Sequence, residues 1–472
     1  MSSNDPEEGS SLLRSSKPDP SRRWLTVEPV ALLYGATYGP FFVSVVPLYI
    51  QQTLAEDRNF TRSDDEFNGT CSDNNISTNP DYKIQQEISA ETAHWVMIST
   101  ALVYFPALFI SPFCGALGDR IGRKLHLLIP NISILCAISA SLIVLYLKVH
   151  LAAFVSLSLI VGFGGGYPFM LAGCFAYIAD ITSGKTRLVR IAIVQATFLG
   201  AMGVAQIPVG YIIEFYGVTA SFWMFFAMTF CNILYITIPG CLYESLQTKT
   251  GPILFKEVFM DAFHLVTNNA NSNRTNGLLL ILLIYFITDI MQLSQAGTQI
   301  FVIYGIGPPF CWSSVTESFF SFAFLIAGTL GLLIGTKLFS LCLANFWILQ
   351  IAYGFALLNY ILAALAPTTA IFILGAVIGG LRAMDLPVLN TILSTTVSPS
   401  EQGVAFAVQS SVTCLGNFVS PLILNPIYSA TVATQPSLVF YIMASLCIVL
   451  IILSWLWKFC TNMRSNEDVE DS

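Results

Sequence analysis

Three ionisable residues stand where an apolar sequence ought to exclude them. Asp289 lies near the middle of the run Leu278–Ile303, while Arg382 and Asp385 lie one helical turn apart near the middle of Ala370–Ser394. A charge at the centre of a membrane helix costs about 2.5–3.5 kcal/mol or more unless it is paired or faces water, so these residues are candidates for function. The chemistry open to them is non-covalent. Arg382 can bind an anionic group of a solute or pair with Asp289, whose protonation would then release it and couple proton to solute movement. A purely structural ion pair between the two runs is the alternative. Gln195, Gln292, Gln295 and Gln299 can hydrogen-bond a polar solute or serve as ordinary interhelical partners. The histidines at 94, 126, 150 and 264 fall near run ends or in loops, away from any mid-membrane relay or metal cluster. No paired carboxylates, nucleophile elbow or metal-ligand spacing stands clear of the apolar runs, so no enzymatic chemistry, cofactor or metal is assigned.

The elements that carry these residues must be membrane helices. Of 472 residues, 55% are hydrophobic and 10% charged, against about 25% charged in soluble domains. Apolar runs of roughly 20 residues must satisfy their own backbone amides in hydrocarbon, which makes them helices. About twelve such runs follow one another, giving an all-α membrane protein of two six-helix bundles. The expected divisions are a tail at 1–26, a first bundle at 27–243 with a long loop at 51–94, a linker at 244–277, a second bundle at 278–459 and a tail at 460–472. Residues 1–22 are polar and do not read as a cleavable signal. The net charge of −7 comes without a basic stripe, which argues against a nucleic-acid partner.

Orientation follows from the positive charges. Of 21 Lys and Arg, only Arg58, Arg62, Lys83 and Lys148 fall in the loops opposite the termini, and Arg382 alone lies deep in a span. Both termini are therefore expected in the cytosol. The loop at 51–94 then faces outward with three Asn-x-Ser/Thr acceptors, Asn59, Asn68 and Asn75, whereas the tripeptides at Asn131 and Asn273 are misplaced for glycosylation. Cys71 and Cys311 also fall in outward loops, one in each half, where they form a disulfide or remain two unpaired thiols.

Between the second and third runs the chain reads Gly115-Ala-Leu-Gly-Asp119-Arg120-Ile-Gly122-Arg123-Lys124. The glycines permit a tight turn, and Asp119 can hold basic groups and a helix N-terminus at a moving seam. A bare positive-inside anchor would need only Arg120, Arg123 and Lys124. The spacing matches the loop pattern of the major facilitator superfamily and resembles it residue for residue. A degraded counterpart, Gly331-Leu-Leu-Ile-Gly335-Thr-Lys337, lacks the acid. Within that superfamily, Val27-Glu28-Pro29, Gly173 to Asp180, Thr186 to Arg190, Tyr304 to Trp312, Ser400-Glu401-Gln402-Gly403 and Ile427 to Thr431 resemble the proton-coupled folate transporter and its solute-carrier relatives. The resemblance implies alternating-access transport of folate-like anions, conjugates or other small organic solutes, driven by protons. It also fits an outer disulfide at the cysteine before Trp312. It places the family's fifth-span acid, seventh-span histidine and tenth-span arginine at Gln195, Ser294 and Asn390, and a fourth-span aspartate at Gly166. Glutamine and serine do not titrate near neutral pH, so the folate-type relay is not expected here.

Glu28 reads as a helix cap or a proton acceptor, the cap being preferred. Gly162, Gly164, Gly165 and Gly166 mark a fourth span that packs closely or hinges. Glu8 with Leu12 and Leu13 forms an acidic dileucine pattern of the endosomal and lysosomal kind. The expected protein is thus a monomeric secondary transporter in the plasma or lysosomal membrane, with a small solute, protons and lipid as partners. Its alternatives are a lysosomal exporter of metabolites or peptide-sugar fragments, and a transporter-shaped receptor that moves nothing.

Overall fold

The computed structural model describes residues 26–58, 80–182, 184–244, 272–293, 295–397 and 402–470. Among these, ten helices are long and apolar enough to cross a membrane: α1 (Glu28–Asp57), α2 (Lys83–Ile110), α3 (Arg123–Leu147), α4 (Leu151–Ile178), α5 (Ile193–Tyr216), α6 (Val218–Thr237), α8 (Ser314–Ser340), α9 (Asn345–Leu365), α10 (Thr369–Leu393) and α12 (Leu438–Cys460). Two more complete the expected twelve. The shorter apolar helix Thr275–Met291 begins α7, which continues through Gln295–Ile306. Helix α11 (Gln402–Thr431) is long enough but carries Gln409, Thr413, Asn417, Ser420 and Asn425 along its length.

Local chemistry sets the ends. Proline occupies the first turn of α1, where no amide donor is needed. Ser313 and Thr368 cap α8 and α10 by accepting from Thr316 N and Ile371 N. The outward loop expected at 51–94 is helical at both ends, because α1 runs to Asp57 and the helix containing α2 starts at Pro80. Arg58 holds these extensions together through Glu87 (3.0 Å) and Glu91 (2.8 Å). Period 3.6 in this polar stretch was hidden by its low hydropathy, yet Ile88 and Ala93 are buried.

Several spans are interrupted midway. Helix α4 breaks at Gly164–Gly166, where Gly165 and Gly166 take φ of 80° and 64°, a conformation that costs a side-chain-bearing residue about 1–2 kcal/mol. Gly162 instead packs against the backbone of Leu102 and Val103 in α2, so this glycine run serves both bending and packing. Helix α7 is π-helical at Asp289–Leu293, and α10 narrows to a 3-10 helix at Gly379–Met384.

The two halves of the chain meet along α2 against α11 and α5 against α8. Hydrogen bonds across this seam gather toward the Asp57 end of α1. Gln299 Nε2 donates to Phe42 O (2.7 Å) and Thr100 Oγ1 to Gln299 Oε1 (3.1 Å). Asn425 Nδ2 donates to Ala93 O (2.9 Å), and Gln51 Nε2 to Ile306 O (3.3 Å). This face of the molecule is closed.

Candidate functional site

The π-helical turn of α7 widens the helix where Asp289 sits, a feature frequent at functional sites. Asp289 is fully buried. Its Cβ packs against Gly416 of α11, so closely that a methyl group there would approach to 2.6 Å. Thr413 of α11 and the like charge of Asp385 act on its carboxyl. Neither carboxyl oxygen makes a hydrogen bond of good geometry among the described residues.

Arg382 occupies the 3-10 turn of α10 at 9% exposure. Its guanidinium lies 4.2 Å from the Phe324 ring centroid of α8, a cation–π contact. With the Asn359 amide oriented to satisfy both its ends, Asn359 donates to Gly375 O and accepts from Arg382 Nη1 at 3.2 Å. Tyr360, within electrostatic reach of Arg382, donates to Met291 O (2.9 Å) of the π-helical turn of α7. Among the described residues no carboxylate lies within ion-pair distance of it. The expected Arg382–Asp289 pair is thus not made in this conformation. Asp385, one turn on, accepts from the amide of Leu386 (2.7 Å), and its Oδ2 has no partner among the described residues. Tyr285 and Tyr353 lie within electrostatic reach of both carboxyls. Tyr285 donates to Asn390 Oδ1 (2.6 Å), so the asparagine at the family's arginine position holds a tyrosine.

Opposite this cluster the first half presents aromatics that the sequence reading did not single out. Tyr34 stacks on Tyr38 (5.5 Å between centroids), Tyr38 tilts against Tyr167 (5.6 Å), and Phe198 stacks on Tyr167 (6.0 Å). Tyr167 faces Asp289 across the seam. Their i, i+4 spacing at 34 and 38 was visible in the sequence, but it reads equally as packing. Gln195, one turn before Phe198 on the same helix, is half-buried. Gln299 is spent on Phe42 and Thr100, which makes it an interhelical partner. Ser294 lies outside the described residues, as do the side chains of Gln292 and Gln295.

Charges at the N-terminal face are organised differently. Arg123 pairs with Asp180 of the family segment (2.8 Å). Glu244 accepts from the amides of Arg123 (2.6 Å) and Lys124 (3.1 Å) and so covers the N-terminus of α3. Gly122 takes φ of 130°, and a Cβ there would collide with that carboxylate, which explains this glycine of the motif. Gly115, Asp119 and Arg120 lie in the last turns of the helix Pro80–Ile121, their side chains outside the described residues. Glu28 is not a simple cap: its Oε1 accepts from Arg190 at 2.6 Å and its Oε2 from Thr26 N. Asn131 is buried, with its side chain bonded to Asn232, consistent with its exclusion as a glycan site. The glycosylation asparagines 59, 68 and 75, the dileucine residues Glu8, Leu12 and Leu13, and Cys71 lie outside the described residues. Cys311 is not among their free thiols. No cluster of metal-binding side chains occurs among the described residues.

Comparison with known proteins agrees with this architecture. The profile of the Major Facilitator Superfamily matches residues 29–421. A lysosomal proton-coupled steroid conjugate and bile acid symporter, SLC46A3 of Gallus gallus, is 30% identical over 94% of this chain and 96% of its own. The proton-coupled folate transporter of Bos taurus is 26% identical over 93% and 95%. Among solved structures, the human organic anion transporter MFSD10 superposes with a TM-score of 0.63 at 17% identity, covering 92% of this chain and 99% of that one. A D-xylose-proton symporter gives 0.65 at 14%, covering 91% and 96%. The chain is a multi-pass membrane transporter, not an enzyme, and belongs to the major facilitator superfamily, within the solute-carrier group that includes the proton-coupled folate transporter and SLC46A3.

Proposed function

We propose that this protein is a proton-coupled symporter of amphipathic organic anions, with Arg382 as the anion-binding group and Asp289 as a proton-carrying carboxyl. The observation that supports this reading is the buried Arg382 guanidinium with no carboxylate partner among the described residues. A buried cation is retained only if something neutralises it during the working cycle, and a solute anion does so when it enters. Asp385 and Asn390 flank that group, and the aromatic wall of Tyr34, Tyr38, Tyr167 and Phe198 supplies an apolar surface for the body of the solute. Gln195 and Ser294 hydrogen-bond its polar edge. Alternating access opens the N-terminal face, where the Gly115–Lys124 loop, Asp180 and Glu244 brace the helix ends.

The relatives are named for steroid conjugates, bile acids and folate. Replacement of the folate-type relay at Gln195, Ser294 and Asn390 favours the conjugate class over folate. Both termini face the cytosol, the protein works as a monomer in lipid, and Cys71 and Cys311 form a disulfide on the outer side near glycans at Asn59, Asn68 and Asn75. Glu8, Leu12 and Leu13 direct it to lysosomes, so that solute leaves the acid lumen with the protons.

The test is uptake of a radiolabelled steroid sulfate into vesicles bearing the full-length protein, with the outer pH at 5 or 7.5. Acid-stimulated uptake and counterflow are expected. Saturable binding of the sulfate without counterflow would instead identify a receptor.

A further inference from the structure

A second buried carboxyl lies apart from the Arg382 cluster. Glu317, in the first turn of α8, is fully buried. Its Oε1 lies 2.8 Å from Ser44 Oγ of α1 and 2.7 Å from Ser321 Oγ, and its Oε2 lies 3.5 Å from Ser318 Oγ. Ser44 Oγ also lies 2.8 Å from Gln206 Oε1 of α5. Ser44 and Gln206 are both fully buried. The cluster joins α1 and α5 of the first half to α8 of the second. Gly210 of α5 packs against Ser318 and Ser314 O beside it, so the two halves touch backbone to backbone here.

Counting hydrogens leads to a choice. A serine hydroxyl has one hydrogen, yet Ser44 Oγ meets two acceptor oxygens at 2.8 Å. One of the two contacts needs a hydrogen from the other partner. Either the Glu317 carboxyl is protonated and donates to Ser44, which donates to the Gln206 carbonyl, or the Gln206 amide is turned over and donates to Ser44, which donates to an ionised Glu317. Gln206 Nε2 has no partner among the described residues in the orientation present, so the amide has no fixed anchor against turning. The proton on Glu317 and the direction of the Ser44 hydroxyl are therefore linked.

Among the described residues no cation compensates this carboxyl. Among the described residues only the hydroxyls of Ser44, Ser318 and Ser321 bear on it. The ionisable groups on the helices around α8 are occupied elsewhere. Arg382 of α10 sits on Phe324, two turns along α8, with Asp385 a turn beyond. Glu214 and Tyr211 are exposed at the end of α5, and Arg190 binds Glu28 at its opposite end. Tyr304 of α7 packs among Phe310 and Phe372, and Lys337 is exposed at the far end of α8.

We propose that Glu317 is a proton-binding site of the gate at the Asp57 face, and that its protonation, relayed through Ser44 to Gln206, latches the two halves together there. Opening this face withdraws Ser44 from Glu317 and admits water to the carboxyl. Closing it around an ionised carboxylate would enclose a charge without a counter-ion, which is strongly unfavourable. Closure thus takes up a proton, and by linkage acid on that side favours the closed gate. The latch is independent of the roles given to Arg382 and Asp289.

The experiment uses the full-length protein in lipid vesicles with nitroxide labels at Tyr216→Cys and Ala370→Cys, both exposed near that face and on opposite halves. The exposed thiols Cys136, Cys231, Cys342 and Cys460 are replaced by serine. Pulsed spin–spin distances are read at pH 5 and pH 8. The wild type is expected to gain short-distance, closed population in acid. Glu317→Gln, which keeps a donor and an acceptor but cannot ionise, is expected to stay closed at both pH values. Ser44→Ala leaves the carboxyl in place but cuts the bond from Glu317 to α1, and is expected to gain less closed population in acid than the wild type. It decides the matter if Glu317→Gln does not fold. A wild type indifferent to pH, or either variant responding like the wild type, overturns the proposal. So does a response lost in Asp289→Asn and kept in Glu317→Gln, which would move the coupling to the Arg382 cluster.

Discussion

Arg190 and Arg123 in the first half of the chain each meet a carboxylate, at 2.6 and 2.8 Å, whereas Arg382 in the second half meets none among the described residues. Asp289 and Asp385 lie within electrostatic reach of Tyr353, yet among the described residues each keeps at least one carboxyl oxygen without a hydrogen bond. The two regions use the same residue types for opposite purposes. A charge that has found its partner fixes the position of a helix end, as Glu28 does for α1 and Asp180 for α4. A charge held by a phenylalanine ring, an asparagine and a tyrosine keeps its capacity for a partner that comes and goes. The cost of desolvation is accepted in both places, but only in the first is it offset within the protein itself.

The sharpest way to break this contrast is to remove one member of each kind. Arg190→Leu leaves Glu28 buried and uncompensated, and should lower stability by about 3–5 kcal/mol, read as a large drop in the apparent unfolding midpoint in detergent. The pair replacement with Glu28→Leu should recover much of the loss. Arg382→Gln should do the reverse. Its unfolding midpoint should stay near that of the wild type, while uptake of a steroid sulfate falls more than tenfold, as truncation of a buried charged contact costs about 2–5 kcal/mol of binding. Equal loss of stability in both single variants would erase the distinction.

Asp289→Asn refines the comparison on the proton side. An amide cannot change charge, so the variant should lose the acid stimulation of uptake and keep its fold. A preserved acid stimulation would remove Asp289 from coupling. The smallest effect is expected of Tyr285→Phe, which deletes the 2.6 Å hydrogen bond to Asn390 and should cost about 0.5–1.5 kcal/mol in unfolding, with only a modest change in uptake.

Hydropathy made most of the spans legible, because a helix in hydrocarbon must carry an apolar signature, whereas α11 carries polar residues along its length and α7 is the shorter apolar helix. The facilitator loop was legible through its residue pattern, whereas the partners of Gly122 and Arg123, Glu244 and Asp180, lie far along the chain. Glu317 was passed over because it stands just before the apolar run at 319–341, where an acid is an ordinary favourable feature of a helix start. Only its distance to Ser44, 273 positions away, sets it apart. The ion pair of Glu28 was missed in the same manner, since its partner Arg190 is 162 positions distant.

The sequence by itself determined that this chain crosses the membrane many times, that it has the facilitator architecture, and that Asp289, Arg382 and Asp385 are out of place in lipid. The first and the last follow from composition and spacing along the chain, and the second from the resemblance of the Gly115–Lys124 loop to that of the superfamily. Which charges are paired, which face is closed, and which aromatics look onto Asp289 were decided by tertiary structure alone. Helix–helix contacts bring together residues from remote spans, and whether a buried charge is satisfied depends on what lies within about 3 Å of it in space, a distance that the order of residues does not encode.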